Sequence, residues 1–319
     1  MLNKKDLRDL IETTLLNIKL TGAVVEKDYY VTQVIHALSG IQNEYFRLVF
    51  AGGTCLAKAH RIVDRMSEDI DFKIQIKNNQ NFSRSRLIKE LKEFREQIKS
   101  SLVITGLATI ENVARNEGKY QRVVLKYPHT YPISPTLRPD LLLEFTLSDI
   151  RISTEDLSVK TIIEDVQQEV TLFTPPQTPC ISVDETAIEK WVGLTRRVIA
   201  IERKYHPDDS ALVRHIFDLN SIVKANKINT NFFTLAQDIV INDAKQFKNQ
   251  HPEYSANPRA EIQESLALLR NKPIWKEHYQ TFLTEMVYDS SAPIAYEEAI
   301  AIIEDLSTKV INSLPYSPS

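Results

Sequence analysis

Cysteine is almost absent from this sequence of 319 residues: there are two, Cys55 and Cys180. They lie far apart and without metal-ligand spacing, which argues against a disulfide scaffold or a zinc knuckle and leaves two partly buried free thiols as the expectation. Long apolar runs are lacking too. No stretch approaches the ~20 residues of a membrane span. The opening Met1-Leu2-Asn3-Lys4-Lys5-Asp6 turns acidic where a secretory signal has its apolar core. A cytoplasmic protein without membrane attachment is expected. Nor is there an excess of positive charge. With 39 Lys and Arg against 42 Asp and Glu, a formal charge of −3 and a pI near 6.2, broad non-specific binding of nucleic acid is disfavoured, while a local basic face stays open. Low-complexity tracts are missing. At 43% apolar and 25% charged residues the chain has the composition of an ordinary globular protein, long enough for two domains.

Glycine is scarce as well, with seven in the chain, and two stand side by side. The apolar run Leu48-Val49-Phe50-Ala51 stops at Gly52-Gly53-Thr54, and residues 54–62 then read as a helix. Such a turn is either a plain connection or a place where backbone approaches a ligand and exposed N–H groups attract phosphate. Further on, Asp69-Ile70-Asp71-Phe72-Lys73-Ile74-Gln75-Ile76 alternates polar with apolar residues, the period of a half-buried strand. Asp69 and Asp71 therefore share a face, about 7 Å apart at the backbone. Two such carboxylates repel unless a cation joins them, and hard oxygen donors suit Mg²⁺. The alternative is the solvated face of an edge strand.

Around these stretches the periodicity predicts helices at residues 4–18, 24–38 and 83–101, and strands at 108–114, 121–127 and 140–147. Glu26-Lys27-Asp28, in the first turn of the second helix, reads as a solvated helix start. Glu144 lies in mid-strand, where an isolated carboxylate is costly unless paired or bound to metal. It is the candidate third carboxylate, with Asp140 in reserve on the same face. A further strand-like piece covers 157–166. Thr174-Pro175-Pro176-Gln177-Thr178-Pro179 excludes regular structure and marks a domain boundary. Everything beyond it reads as helix, beginning with a capping box at Ser182 to Glu185. In that first helix Lys190 and Arg197 share a face, by solvation alone or for a purpose. The next helix, 210–225, carries Arg214 and Asp218 as an i, i+4 pair among apolar residues. Later helices are predicted at 231–248, 259–270, 275–288 and 294–313.

Gly52-Gly53-Thr54, then Asp69-x-Asp71, then a carboxylate on a later strand, is similar to the site pattern of the polymerase-β-like nucleotidyltransferases. With Arg65-Met66-Ser67-Glu68-Asp69-Ile70-Asp71-Phe72, and with Glu26-Lys27-Asp28-Tyr29, Glu189-Lys190 through Arg197, and Arg214 to Asp218 in the same order, the chain more narrowly resembles the AbiEii/AbiGii toxin family of bacterial nucleotidyltransferases, which includes the MenT-type toxins. The resemblance implies an α+β architecture: a nucleotidyltransferase domain over residues 1–173, its mixed or antiparallel sheet flanked by helices, and an all-helical domain over 180–319. It also implies a metal-dependent enzyme, the toxin of a type IV-like toxin–antitoxin or abortive-infection system. Such an enzyme would move NMP from NTP to an RNA acceptor such as the 3′ end of tRNA. Its cognate antitoxin would act without a stable complex. Nucleotidylation of a protein, or a non-catalytic nucleotide-binding regulator, are the alternatives.

Residue by residue, the resemblance gives Gly52, Gly53, Thr54 and Ser67 to the nucleotide. Asp69, Asp71 and Glu144 go to Mg²⁺ or Mn²⁺, with Glu144 also helping to take the acceptor's proton. Lys190 is the family's lysine on the nucleotide phosphates, with Arg197 on its face, and Asp218 is the downstream aspartate that positions the nucleotide or orders Lys190. The family often has Arg-Asp where this chain has Arg214-His215, and many polymerase-β-like enzymes have Asp at the third carboxylate. For Glu26-Lys27-Asp28 the resemblance supplies a match without a role.

Overall fold

The structure is a computed structural model that describes residues 2–133, 137–173, 177–288, 294–312 and 314. The chain divides into two units, one of residues 1–61 and 66–182, the other of residues 62–65 and 183–319.

In the first unit, helices α1 (Lys4–Leu15) and α2 (Gly22–Leu38) open the chain. Asn3 and Thr21 cap them by accepting from the N–H groups of Asp6 and Val24, as short polar side chains do at an N-cap. Next come β1 (Phe46–Ala51), α3 (Gly52–Lys58), β2 (Asp69–Ile76), α4 (Arg84–Val103), β3 (Ala108–Arg115), β4 (Tyr120–Lys126) and β5 (Leu141–Leu147). Then β6 (Glu155–Leu157), α5 (Ile162–Val166) and β7 (Thr178–Cys180) complete the unit. The strands form one mixed sheet in the order β3-β4-β5-β2-β1-β7-β6. Its centre, β2, runs antiparallel to β1 and parallel to β5. The alternating sequence of β2 sends Ile70, Phe72 and Ile74 into a core shared with Leu143 and Phe145 of β5, Val31 and Ile35 of α2, and Leu91, Phe94 and Ile98 of α4. Each such fully buried side chain contributes about 1.5–3 kcal/mol. The opposite face of β2 is thereby left to Asp69 and Asp71.

The expected strand at 157–166 is instead a short strand and a helix. Thr161 and Glu164 form a reciprocal capping box, Glu164 N–H to the Thr161 hydroxyl and Thr161 N–H to the Glu164 carboxylate, at 3.0 and 2.8 Å. The Thr-x-x-Glu spacing overrides the β-branched residues between its ends. The proline segment expected to part the domains begins at Thr174-Pro175-Pro176, outside the described residues. Beyond it, Thr178–Cys180 pairs with β6 and β1, so the helical run starts only at Val183. A strand of three residues is too short to show a period.

The second unit is built on α6 (Val183–Glu202), followed by a 3₁₀ turn (Ser210–Val213), α7 (Arg214–Lys224), α8 (Thr230–Gln246), α9 (Pro252–Ala256), α10 (Pro258–Asn271), α11 (Pro273–Met286) and α12 (Tyr296–Ile311). Asp209 caps the 3₁₀ turn, accepting from Ala211 N–H at 3.1 Å. Where a single helix from 210 is expected, the α-helix therefore starts at Arg214. Ile188, Trp191, Leu194 and Val198 of α6 are buried, and the Trp191 indole donates to the Ser307 hydroxyl at 2.8 Å. Residues 62–65 join this unit through a bridge between Arg65 and Val287 and a hydrogen bond from Tyr288 N–H to the Asp64 carbonyl. Among the described residues, no helix is long and apolar enough to cross a membrane.

Candidate functional site

The pairing of β2 with its neighbours sets the carboxylates. Asp71 stands opposite Ala51 on β1 and opposite Glu144 on β5, while Asp69 stands opposite Leu142. Neighbouring strands lie about 4.8 Å apart, so Glu144 shares the face of the aspartate pair, one strand over from Asp71. Asp140 precedes β5 and is out of that register. The Tyr120 hydroxyl on β4 donates to Glu144 Oε1. Burial, and then the hydrogen bond to Glu144, push that phenol up to about 12.

Because β1 ends at Ala51 beside Asp71, the glycine turn is carried directly to the carboxylates. Gly52 sits at φ +77°, and a Cβ there would collide with the Asp71 carboxylate. Only glycine meets both conditions. Gly53 is half-buried in the same turn. Thr54, expected to reach the nucleotide, is fully buried. Its hydroxyl is engaged within the protein, donating to the Asp69 carbonyl and hydrogen-bonded with the Ser67 hydroxyl at 2.9 Å. Thr54 and Ser67 thus staple the turn to the first residue of β2.

Among the described residues, no three His, Cys, Asp or Glu side chains converge to hold a metal unaided. A magnesium ion is commonly held by one or two carboxylates and completed by substrate phosphates and water. The hard oxygen donors of Asp69 and Asp71, side by side on one strand, fit that demand.

Glu26-Lys27-Asp28 is not a solvated helix start. Capping at Thr21 places the triplet in the second turn of α2, and all three side chains are buried. Glu26 accepts from the N–H groups of Thr130 and Tyr131 at 2.9–3.3 Å. Lys27 pairs with Glu68 and donates to the Arg138 carbonyl at 2.8 Å. Burial lowers the Lys27 ammonium from its ordinary range, and Glu68 partly offsets this. Asp28 pairs with Lys58 at the end of α3 and accepts from Ile162 N–H at 2.7 Å. Buried charges persist only when partnered in this way.

In the second unit Lys190 and Asp218 meet, Nζ to Oδ2 at 2.8 Å. The expected partner of Asp218 along its helix was Arg214, but Arg214 Nε donates to the Ala211 carbonyl and Asp218 is gripped from the segment 62–65. Arg65 binds both its oxygens, at 2.6 and 2.7 Å. Burial alone would raise the Asp218 carboxyl, but Arg65 and Lys190 outweigh it and hold the group well below the usual carboxylate range. Arg197, on the Lys190 face of α6, is paired with Asp209. His215 is pushed far below the ordinary imidazole range, first by burial and then by Lys190. Arg65, Glu68, Tyr120 and Arg138 escaped the sequence reading. Arg65 and Glu68 flank Ser67 in the motif already quoted. Tyr120 and Arg138 carry no local signal, since only strand register and the α2 contacts bring them in.

A model of the family described as nucleotidyl transferase AbiEii toxin, type IV TA system, matches residues 39–302. A search of curated proteins found no match. Solved structures similar to this chain include MenT4, a nucleotidyltransferase toxin of Mycobacterium tuberculosis H37Rv, at 17% identity and TM-score 0.40, covering 93% of this chain and 98% of that one. Another is JHP933 from Helicobacter pylori, at 12% identity and TM-score 0.41, covering 93% and 95%.

Proposed function

This chain belongs to the AbiEii nucleotidyl transferase toxin family of type IV toxin–antitoxin systems, and from that premise we propose that it transfers NMP from NTP to an RNA acceptor, such as the 3′ end of tRNA, with Mg²⁺ at Asp69 and Asp71. Family membership brings an NTP substrate, a divalent metal and an antitoxin partner. The observation that carries the finer reading is the register of Glu144 against Asp71, with Asp69 two residues away on the same strand face and Gly52 against the Asp71 carboxylate.

The acceptor hydroxyl oxygen attacks the α-phosphorus, the bond to the β,γ-pyrophosphate breaks, and pyrophosphate leaves with its electron pair. Glu144, released from Tyr120, takes the hydroxyl proton. Bound metal supplies charge for the entering and leaving oxygens of this in-line displacement. The Gly52-Gly53 turn offers backbone at close range to the triphosphate, and Thr54 and Ser67 keep that turn in place. In the helical unit, Lys190 is the cation for the nucleotide phosphates, ordered by Asp218 and Arg65. The antitoxin, in this reading, acts without a stable complex.

To test this, purified protein is incubated with Mg²⁺, labelled NTPs and total tRNA, and the wild type is compared with Asp71→Ala. Label should enter RNA with the wild type only. Label in neither RNA nor protein would refute the reading, and label in protein alone would move the acceptor to protein. Induced expression should arrest growth, with Asp69→Ala relieving the arrest.

A further inference from the structure

Glu26, Lys27 and Asp28 are adjacent in the chain, yet they hold three separate segments of the first unit. Glu26 fixes the backbone at Thr130 and Tyr131. Asp28 holds the far end of α3, the helix that starts at Gly52. Lys27 is fully buried and, with Glu68, grips one further residue by both of its backbone groups. Lys27 Nζ donates to the Arg138 carbonyl at 2.8 Å, and Arg138 N–H donates to Glu68 Oε2 at 2.9 Å. Burying an ion pair is costly, and a surface loop does not need one. What the pair fixes is the origin of the Arg138 side chain. Its guanidinium lies 3.7 Å from Asp69 Oδ1, and the side chain as a whole remains 44% exposed. That separation is an ion pair without a hydrogen bond, and an exposed guanidinium beside a metal-binding carboxylate has donors to offer an incoming anion.

We propose that Arg138 is a nucleotide-binding residue that takes the phosphates of the NTP, and that the buried Lys27–Glu68 pair is its positioning device. Arginine suits the role because its planar fork binds phosphate oxygens in pairs and stays charged at any working pH. The inference rests on Asp69 and Asp71 being the metal-binding carboxylates. It gives Lys27, in the second turn of α2, a role in the site without any contact to substrate of its own.

The test is calorimetric titration of the full chain with ATP, GTP, CTP and UTP in turn, each in Mg²⁺, followed by the corresponding monophosphate of the tightest binder. Arg138→Gln should weaken NTP binding about ten- to a hundredfold, the loss of a charge-assisted contact, with a much smaller effect on the monophosphate. Arg138→Lys should recover part of the loss. The neutral pair Lys27→Met with Glu68→Gln should weaken NTP binding by a similar factor and add little when combined with Arg138→Gln, since both act through one guanidinium. An additive effect would assign the pair a purely structural role and overturn that half of the proposal. Unchanged NTP affinity in Arg138→Gln, which alters an exposed side chain and leaves the core intact, would overturn the other half. Asp71→Ala separates this from the underlying reading. If it binds Mg²⁺–NTP as tightly as the wild type, the carboxylate assignment fails. If it weakens binding while Arg138→Gln does not, only the present inference fails.

Discussion

Asp218→Asn changes almost no volume and removes one charge, which makes it a sharp probe of the helical unit. Asp218 is fully buried and accepts three charge-assisted hydrogen bonds, two from Arg65 at 2.6 and 2.7 Å and one from Lys190 at 2.8 Å. The Arg65 and Lys190 side chains are only 3% and 9% exposed, so water where they stand replaces little of what the carboxylate gave them. Removing one partner of a buried ion pair costs about 3–5 kcal/mol. Both cations lose this partner in the one substitution. At about 2–4 °C per kcal/mol for a domain of this size, the fall in Tm is roughly 6–20 °C. Differential scanning calorimetry at pH 7 reads it as a shift of the transition that includes the helical unit. The pH dependence has a definite sign. Because the folded carboxyl is held below its ordinary range, the stabilisation is complete above about pH 4 and is lost as pH falls through the lower folded value. The gap between wild type and variant should therefore be constant from pH 7 to about 4 and close below that. Replacing all three groups together, Arg65→Met with Lys190→Met and Asp218→Leu, should recover part of the loss, because the ion pairs of Asp218 are then removed with both their partners. A fall in Tm under about 2 °C for Asp218→Asn would refute the claim that this carboxylate holds the two cations.

Two further outcomes follow from single residues. Gly52→Ala should abolish nucleotide transfer and lower stability by about 1–3 kcal/mol, since the new Cβ is strained at φ +77° and meets the Asp71 carboxylate; an active, equally stable variant in transfer and urea-unfolding assays would contradict the packing described. His215 should remain neutral at pH 6, because burial and Lys190 depress its protonation. Stability should then fall as pH drops through about 6.5, where the unfolded imidazole binds a proton and the folded one does not. Titration of the imidazole by NMR checks this, and an inflection at or above pH 6.5 would contradict it.

Most elements were legible because their signals are local. The strand Asp69–Ile76 shows its period over eight residues, and α4, α10 and α12 show apolar stripes several turns long. Elements too short for a period, Glu155–Leu157, Thr178–Cys180 and Pro252–Ala256, escaped notice for that reason. The candidate site divides along the same line. Asp69, Asp71 and Gly52 lie within about twenty residues of one another in a motif that can be read as text. Glu144 could be nominated as an acid out of place in a strand, but its standing opposite Asp71 is a matter of parallel pairing with β2, which no local pattern states.

What the sequence determined by itself was the chemistry on offer: a glycine turn, two carboxylates on one strand face, and a lysine and an aspartate on later helices. Tertiary structure decided how each charge is held. Glu26-Lys27-Asp28 looked like a solvated helix start because, read along one helix, three charged residues in a row face water. Folding brings Thr130, Glu68, Arg138 and Lys58 to them from up to 111 positions away. In the same way Arg65 reaches Asp218 across 153 positions. A buried charge is tolerated only through partners, and those partners are chosen by packing, a property of the folded chain that spacing along the sequence does not carry.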